Sequence, residues 1–473
     1  MTNIADLKYV VIGGGISGLS AAWFLQQHGV SYTLVEQSER WGGKIRTDVI
    51  DIGEAQPFIV EAGPDSFIAQ KPWATQLARA IDMDDDLIGT NDDHRKIFVL
   101  NRGKLTPLPD GLLLIVPTKF MPFALSPLIS IPGKIRMALE PFLPSRTGDD
   151  DESLAEFVKR RLGAEILDKL AEPLMSGIYN TDPHDQSLLA TFPRFRKLEQ
   201  DYGSLTRGML QARKANNHAP APQSSSTPSS LFLSFKGGME SFVTRIVEKL
   251  NGDLRLNIGV ESITRMDDQY HLTLTDSSTL KAHTIILTTS APITANLLRP
   301  LAPETAAHID SIRYVTTGTL SLAYRAIDVN LPPSFGVVIP RSENRAINAV
   351  TISSIKFDHR APQGFVLMRV FFGGSRSPQT VELDDVALVH IVRDELRAIY
   401  GISAVPIFTR AYRWREATPQ YAVGHLEKVN SIEQGLPPNI FVTGSAFRGV
   451  GVPDCVHQSQ ETVAKAVAKA VKP

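Results

Sequence analysis

Three glycines, Gly13, Gly15 and Gly18, follow the apolar run Tyr9–Ile12 in "YVVIGGGISGLSAAWFLQQHGVSYTLVEQ". A second β-rich run, Tyr32–Val35, ends on Glu36, 18 residues beyond Gly18. Strand, glycine turn, helix, strand and acid stand in the order that holds a dinucleotide. The first glycine permits a tight turn, the second lets a pyrophosphate approach the backbone, and the third lets the helix pack closely on the strand. The helix N-terminus offers unpaired N–H groups and partial positive charge to phosphates. Glu36 is placed to accept hydrogen bonds from a ribose hydroxyl. The motif alone does not separate NAD from FAD.

Two further segments bear on that choice. "ERWGGKIRT", Glu39–Thr47, sets Arg40 before Gly42 and Gly43, whose backbone N–H groups could approach a cofactor, while Lys44 or Arg46 adds positive charge. Near the C-terminus, the strand Ile440–Thr443 meets Gly444, then a loop with Gly449 and Gly451, then a helix beginning around Asp454. This second helix N-terminus can aim backbone donors at a polar ring edge or a ribityl chain. Between them, Leu254–Pro292 places Val260 in a strand whose backbone could pair with an adenine. Sections about 400 residues apart imply a discontinuous nucleotide domain. The paired-glycine segment resembles one that runs along the FAD pyrophosphate in flavoproteins of the amine-oxidase superfamily, and the cofactor expected is FAD.

The elements that must position these turns read as α/β. The 473 residues are 43% hydrophobic and 21% charged, enough for two or three domains with a large core. A net charge of −1 argues against nucleic acid as a partner. One cysteine, Cys455, excludes an internal disulfide and a cysteine-based zinc cluster, so no metal is expected. The polar N-terminus reaches its first strand within ten residues, which leaves no room for a signal peptide, and no apolar run is long enough to span a bilayer. "ESLAEFVKRRLGAEILDKLAEPLMSGIY" has helical spacing up to Gly177, with Ser153 and Glu156 as a capping box. "YHLTLTDSSTLKAHTIILTT" reads as a hairpin and a buried strand, and "TLSLAYR" and "RVFFGG" read as strands. Ala215–Ser230 reads as an exposed low-complexity loop. Gly111–Leu143 is apolar, broken by prolines and sparsely basic at Lys119, Lys134 and Arg136. It suits either buried connections between short helices or a surface lying in a bilayer interface.

Several segments resemble the bacterial oxygen-dependent porphyrinogen oxidases of haem biosynthesis: "EAGPDSF", "EPLMSGIYNTDP", "TFPRFRKLEQDYGSL", "FKGGMESFV", "FDHRAP", "RWREATPQYAVGHLEKV" and "FRGVGVPDC". The chain looks most like the Gram-positive branch, whose members oxidise coproporphyrinogen III. The resemblance implies a Rossmann-type, discontinuous FAD domain of p-hydroxybenzoate-hydroxylase type, an α+β substrate domain and a helical membrane-associating domain. The expected FAD parts are 1–90, 231–300 and 414–473. The substrate parts are 91–110, 191–230 and 301–413, and the helical part is 111–190. It also implies non-covalent FAD held by Gly13, Gly14, Gly15, Ile16, Ser17, Gly18, Glu36, Gln37, Gly43 and Lys44. Gly63, Pro64, Asp65, Ser66, Val260, Trp414, Gly444, Val450, Gly451 and Val452 complete that set.

The reaction so implied takes six electrons and six protons from a porphyrinogen in three flavin cycles, with O2 as acceptor and H2O2 as product. No indispensable side-chain base is expected, because pyrrole protons can leave through ring tautomers. His94, His184, His359, His425 and His457 are scattered and read as structural or surface residues. A flat ring with carboxylate arms needs apolar clamps and cations. By resemblance the clamps are Val338 and Phe371, with Ile178 and Lys71 near the cavity and Lys71 and Arg102 as cations. Phe371 and Val338 would equally serve as strand core, Lys71 and Arg102 as solvated charges, and Asn101 could take the slot of Arg102. Cys455 reads as buried and structural. A cytoplasmic protein is expected, with peripheral contact to the inner face of the cell membrane and hand-over to a downstream haem-pathway enzyme. Rival readings are protoporphyrinogen IX oxidation, an amine oxidase or carotenoid desaturase, and a flavin-bearing scaffold.

Overall fold

Tyr9–Ile12 is buried along its whole length and forms the centre of a five-stranded parallel sheet. Its order is Asp253–Arg255, Tyr32–Val35, Tyr9–Ile12, Thr284–Leu287 and Ile440–Val442. Strands covered on both faces read as continuous apolar runs, which is why "YVVI" and "TIIL" carry no alternation. The computed structural model describes residues 8–113, 115–218 and 230–471. The helices Ile16–Gln27 and Val452–Val471 pack on one another across the chain's length, where Ser459 Oγ donates to the Ser17 carbonyl at 2.9 Å.

Gln269–Leu274 and Thr279–Ala282 form the expected hairpin, and Val260–Met266 extends it to a three-stranded antiparallel meander over this sheet. A second, seven-stranded sheet runs in the order 408–419, 314–325, 365–373, 349–352, 336–338, 97–101 and 104–107. It is antiparallel except where Gly336–Val338 pairs parallel with Ile97–Asn101. Phe372, Val370 and Leu320 fill the core on one face with the helix Asp385–Tyr400.

The third body is helical. Short helices at Phe120–Leu125 and Ile131–Ala138 alternate with prolines, and the capping box at Ser153 and Glu156 forms as expected. The continuous helix expected up to Gly177 is instead broken at Gly163, and a π-helical stretch follows at Leu167–Ser176. The body extends past the expected boundary at residue 190. Phe195, Leu198, Leu205 and Met209 enter the same core as Leu154, Phe157 and Leu170. Helix Leu205–His218 also replaces the first residues of the expected loop, and 219–229 lie outside the described residues.

Buried charge ties this body together. Arg161 and Glu140, both fully buried, form an ion pair, and Glu140 also accepts from Ser204 Oγ at 2.6 Å and Leu205 N–H at 2.9 Å. Burial opposes ionisation of Glu140, yet these donors and Arg161 hold its pKa below the ordinary carboxylate value.

Candidate functional site

The glycine turn has the steric profile of a phosphate cradle. A Cβ on Gly18 would lie 1.8 Å from the Gly13 carbonyl oxygen, so only glycine lets the helix Ile16–Gln27 sit this close to its strand. A Cβ on Gly15 would meet no protein atom within 4 Å, so the turn is open there and has room for a phosphate group. Gly43 closes the other side, its Cβ position 3.2 Å from Gly15 Cα, and Gly42 N–H donates to the Gly14 carbonyl at 2.8 Å. Arg40 donates to the carbonyls of Trp41, Gly43 and Ile45 and so holds the loop rather than a ligand.

Glu36 accepts from Gly14 N–H at 2.6 Å and, on its other oxygen, from Ser38 N–H and Oγ. Ser38 fills both acceptor directions of one oxygen, whereas the oxygen bound by Gly14 N–H keeps a second direction with which to accept from a ribose hydroxyl. Ile258 N–H donates to the Glu36 carbonyl, and the Cβ position of Gly259 lies 3.4 Å from Gln37 Cγ, which brings Val260 beside the Glu36–Gln37 turn.

The segment Gly63–Ser66 is fixed from several sides. A Cβ on Gly63 would lie 1.8 Å from the Lys44 carbonyl oxygen. Trp414 Nε1 donates to the Ala62 carbonyl at 2.8 Å, and Arg369 donates to the carbonyls of Ala62 and Gly63. Beyond Pro64, Asp65 accepts from Ser66 Oγ at 2.7 Å and Lys356 Nζ at 2.9 Å. Burial opposes its ionisation, but Lys356 and Arg369 outweigh that and hold its carboxyl far below the usual range. Glu61 shows the reverse balance: burial pushes it up to about 7 despite Arg360 and its bonds from Met239 N–H and Thr47 Oγ1.

The C-terminal loop approaches the same turn. Gly444 has a Cβ position 3.3 Å from Ser17 Oγ, and its φ of +116° demands glycine. Val450 and Gly451 lead into the helix at Val452, two residues before the expected start. Lys44 donates to the Ala417 carbonyl and to Ser445 Oγ at 3.4 Å, joining the N-terminal loop to this one. One face of Lys44 is open, yet protein encloses its ammonium, and the lost hydration lowers its pKa. Cys455 is buried, and burial pushes its thiol up to about 11, which agrees with a structural role.

The substrate-side candidates divide. Val338 pairs with Ala349, Ala349 with Phe371, Phe371 with Thr319, and Thr319 with Tyr412. Residues opposite one another across strands share a face, as do residues two apart along a strand. Val338, Phe371, Arg369 and Trp414 therefore lie on one face, the face that holds Ala62–Gly63. Phe371 is half-buried and joins none of the described cores, whereas Phe372 on the other face is core. Val338 packs against the helical core, so it also serves as core. Ile178 is 57% exposed.

The two cations do not behave as free charges at this face. Lys71 is paired with both oxygens of Asp454, at 2.6 and 2.8 Å, in the first turn of the C-terminal helix. Arg102 sits at the tip of an edge hairpin with φ +54°, its N–H bound to Glu343 at 2.6 Å. No described hydrogen bond or ion pair joins its side chain to the candidate site. Sequence reasoning missed Arg369, although its spacing of two from Phe371 places it on the same face. It also missed Tyr421, whose hydroxyl accepts from Gly449 N–H and donates to the Ser445 carbonyl, both at 2.8 Å. No local pattern marks that contact.

The family model described as flavin containing amine oxidoreductase matches residues 16–467. The coproporphyrinogen III oxidase of Bacillus subtilis (strain 168) is 33% identical over 97% of this chain and 97% of its own length. The protein of that name from Propionibacterium freudenreichii subsp. freudenreichii is 34% identical, covering 97% of this chain and 91% of that one. A crystal structure of a candidate protoporphyrinogen oxidase from Exiguobacterium sp. 255-15 superposes with a TM-score of 0.86 at 30% identity, over 98% of this chain and 100% of that one.

Proposed function

This chain belongs to the family of flavin containing amine oxidoreductases, and on that premise we propose that it oxidises coproporphyrinogen III to coproporphyrin III with non-covalent FAD, consuming O2 and releasing H2O2. The observation that carries the reading is the half-buried Phe371, on the sheet face that Arg369 and Trp414 anchor to Ala62–Gly63. An aromatic wall directly beside the nucleotide-holding backbone suits a flat macrocycle. The full-length likeness to two coproporphyrinogen III oxidases supports the choice of substrate.

The open space at Gly15 fits a pyrophosphate and Glu36 fits a ribose, so FAD is compatible with the residues present. Bound FAD supplies the hydride-accepting chemistry, repeated three times per porphyrinogen. The chain's own residues bind and orient. N–H groups of Gly15 to Gly18 take the phosphates, with Ile16 and Ser17 in the first helical turn, while the Gly14 N–H is bound to Glu36 and fixes the turn. Gln37 and Val260 flank the adenosine end. Gly43, Lys44, Gly63–Ser66, Gly444 and Val450–Val452 surround the remainder. Phe371, Val338 and Ile178 exclude water from the ring. No side chain is assigned a proton, since the pyrrole N–H protons leave through ring tautomers.

Protoporphyrinogen IX remains the second reading, favoured by Asp454 neutralising Lys71 and by the absence of any described bond from the Arg102 side chain to the site. Fewer free cations suit a substrate with two carboxylates rather than four. An aerobic assay offering both porphyrinogens side by side decides. Higher kcat/KM for coproporphyrinogen III upholds the proposal, preference for protoporphyrinogen IX replaces the substrate, and no porphyrin from either overturns both.

We also place the protein in the cytoplasm, in peripheral contact with the inner face of the cell membrane, where it passes its product to the next haem-pathway enzyme. Support comes from Phe120, Met121, Leu125, Ile131, Ile135 and Phe142, all more than half exposed between residues 120 and 142. Among the described residues, no helix is long and apolar enough to cross a membrane.

A further inference from the structure

Three segments that carry substrate-side candidates meet at one buried ionic junction. Glu172 lies in the π-helical stretch Leu167–Ser176, six residues before Ile178, and is 5% exposed. Arg376 follows Phe371 by five residues, and its Nε stands 3.1 Å from Glu172 Oε1. The same guanidinium donates to the carbonyl of Ile339, the neighbour of Val338. Arg341 N–H donates to Glu172 Oε2 at 3.3 Å, and Arg341 also pairs with Asp182 at 2.9 Å. Beyond Ile178, Ser375 N–H donates to the Asn180 carbonyl at 3.3 Å, and Gly374 packs closely on Asn180, where a Cβ would lie 3.0 Å from Asn180 Cβ. Ile178 is thus held between two contacts to the strand end that carries Phe371.

A buried ion pair is a poor source of net stability, because desolvating two charges cancels most of their attraction. What it imposes is register, since either charge left alone is costly. Long π-helical stretches are rare and concentrate at functional sites, where the wider turn re-aims the residues that follow. Here those residues are Gly177, Ile178 and Tyr179.

We propose that Glu172 and Arg376 are a positioning pair that docks the Ile178 turn of the helical body onto the strand ends bearing Val338 and Phe371, and so sets the width of the porphyrinogen slot. The proposal rests on the porphyrinogen reading above. Neither residue touches the substrate; both act through Ile178 and Phe371.

The test compares wild type, Glu172→Gln and Arg376→Lys for KM and kcat with coproporphyrinogen III, alongside flavin content and melting temperature. Glu172→Gln is expected to raise KM about tenfold with kcat and flavin content held, and Arg376→Lys, which keeps the charge, to raise it less. KM unchanged in both overturns the pair while leaving the porphyrinogen reading intact. So does a loss in which KM stays fixed and kcat falls in proportion to flavin content, because that is lost folded enzyme. If Glu172→Gln does not fold, Arg376→Lys carries the test alone: a raised KM at constant kcat supports the pair, and an unchanged KM overturns it. Wild type inactive on either porphyrinogen overturns the functional reading, and the pair with it.

Discussion

His425 lies face to face on Tyr421, with ring centroids 4.0 Å apart and planes 15° apart. Tyr421 holds the backbone of Ser445 and Gly449, and His425 Nε2 bonds the Phe447 carbonyl at 2.7 Å, so the two rings shape the C-terminal glycine loop. Burial lowers the His425 pKa from 6.5 to about 4. Between those values the unfolded chain binds a proton that the folded chain refuses, so stability falls as pH drops from 6.5 towards 4. The difference amounts to about 3 kcal/mol at most. Urea unfolding across this window should show a declining stability and flavin loss in wild type and a flatter profile in His425→Gln. Parallel profiles would remove His425 as the cause.

The glycine turn yields a contrast between two neighbouring substitutions. Gly18→Ala forces a methyl onto the Gly13 carbonyl and should prevent the folded protein from accumulating. Gly15→Ala meets no protein atom, and its backbone, at φ −72° and ψ 179°, accepts any side chain. It should melt like wild type yet bind FAD at least about tenfold more weakly, a loss of about 1.4 kcal/mol. Titration of the apoprotein with FAD measures this. Unchanged affinity would route the pyrophosphate elsewhere.

Legibility in the sequence followed the range of the interactions. The Tyr9–Glu36 unit, the hairpin before Thr284 and the Ser153 cap are local patterns, and each appears where its residues predict. The π-helical stretch went unread because its apolar spacing passes for α-helix, although Pro173 inside it, which has no backbone N–H to complete the α-helical ladder, was a local signal of a break. Lys71 illustrates a second limit. Its cation was legible, but Asp454 lies 383 residues away, and nothing local announces that partner. Arg102 failed differently: Arg102-Gly103 is a turn dipeptide at a hairpin tip, a local signal that outweighed the charge.

Phe371 should carry more binding energy than Val338. Its ring stands out from the described cores beneath the Arg369 guanidinium, 4.9 Å from its centroid, whereas Val338 leans on the helical core. Phe371→Ala therefore removes an aromatic wall at little cost to the fold. It should raise KM for coproporphyrinogen III about tenfold to a hundredfold, the equivalent of about 1–3 kcal/mol of lost apolar contact, with the melting temperature held. A large drop in melting temperature at constant KM would mark Phe371 as core.

The exposed apolar residues between 120 and 142 give the last expectation. Phe120, Met121 and Leu125 sit on or beside one short helix, Ile131 and Ile135 on the next, and Phe142 on the turn that follows. Such a cluster is unusual on a surface that meets only water, and nearby Lys119 and Lys134 suit anionic headgroups. Glu140 anchors the cluster's base to Arg161, so the outward side chains can change without disturbing the body beneath. Leu125→Ser with Phe142→Ser should weaken co-sedimentation with anionic vesicles about tenfold or more, from roughly 1–2 kcal/mol of apolar insertion lost at each site. Turnover of coproporphyrinogen III in vesicle-free buffer should stay at the wild-type rate, since both side chains are turned to solvent. Equal vesicle binding by both proteins would leave these residues as bare surface, and the basic side chains alone would then have to account for any binding to anionic lipid.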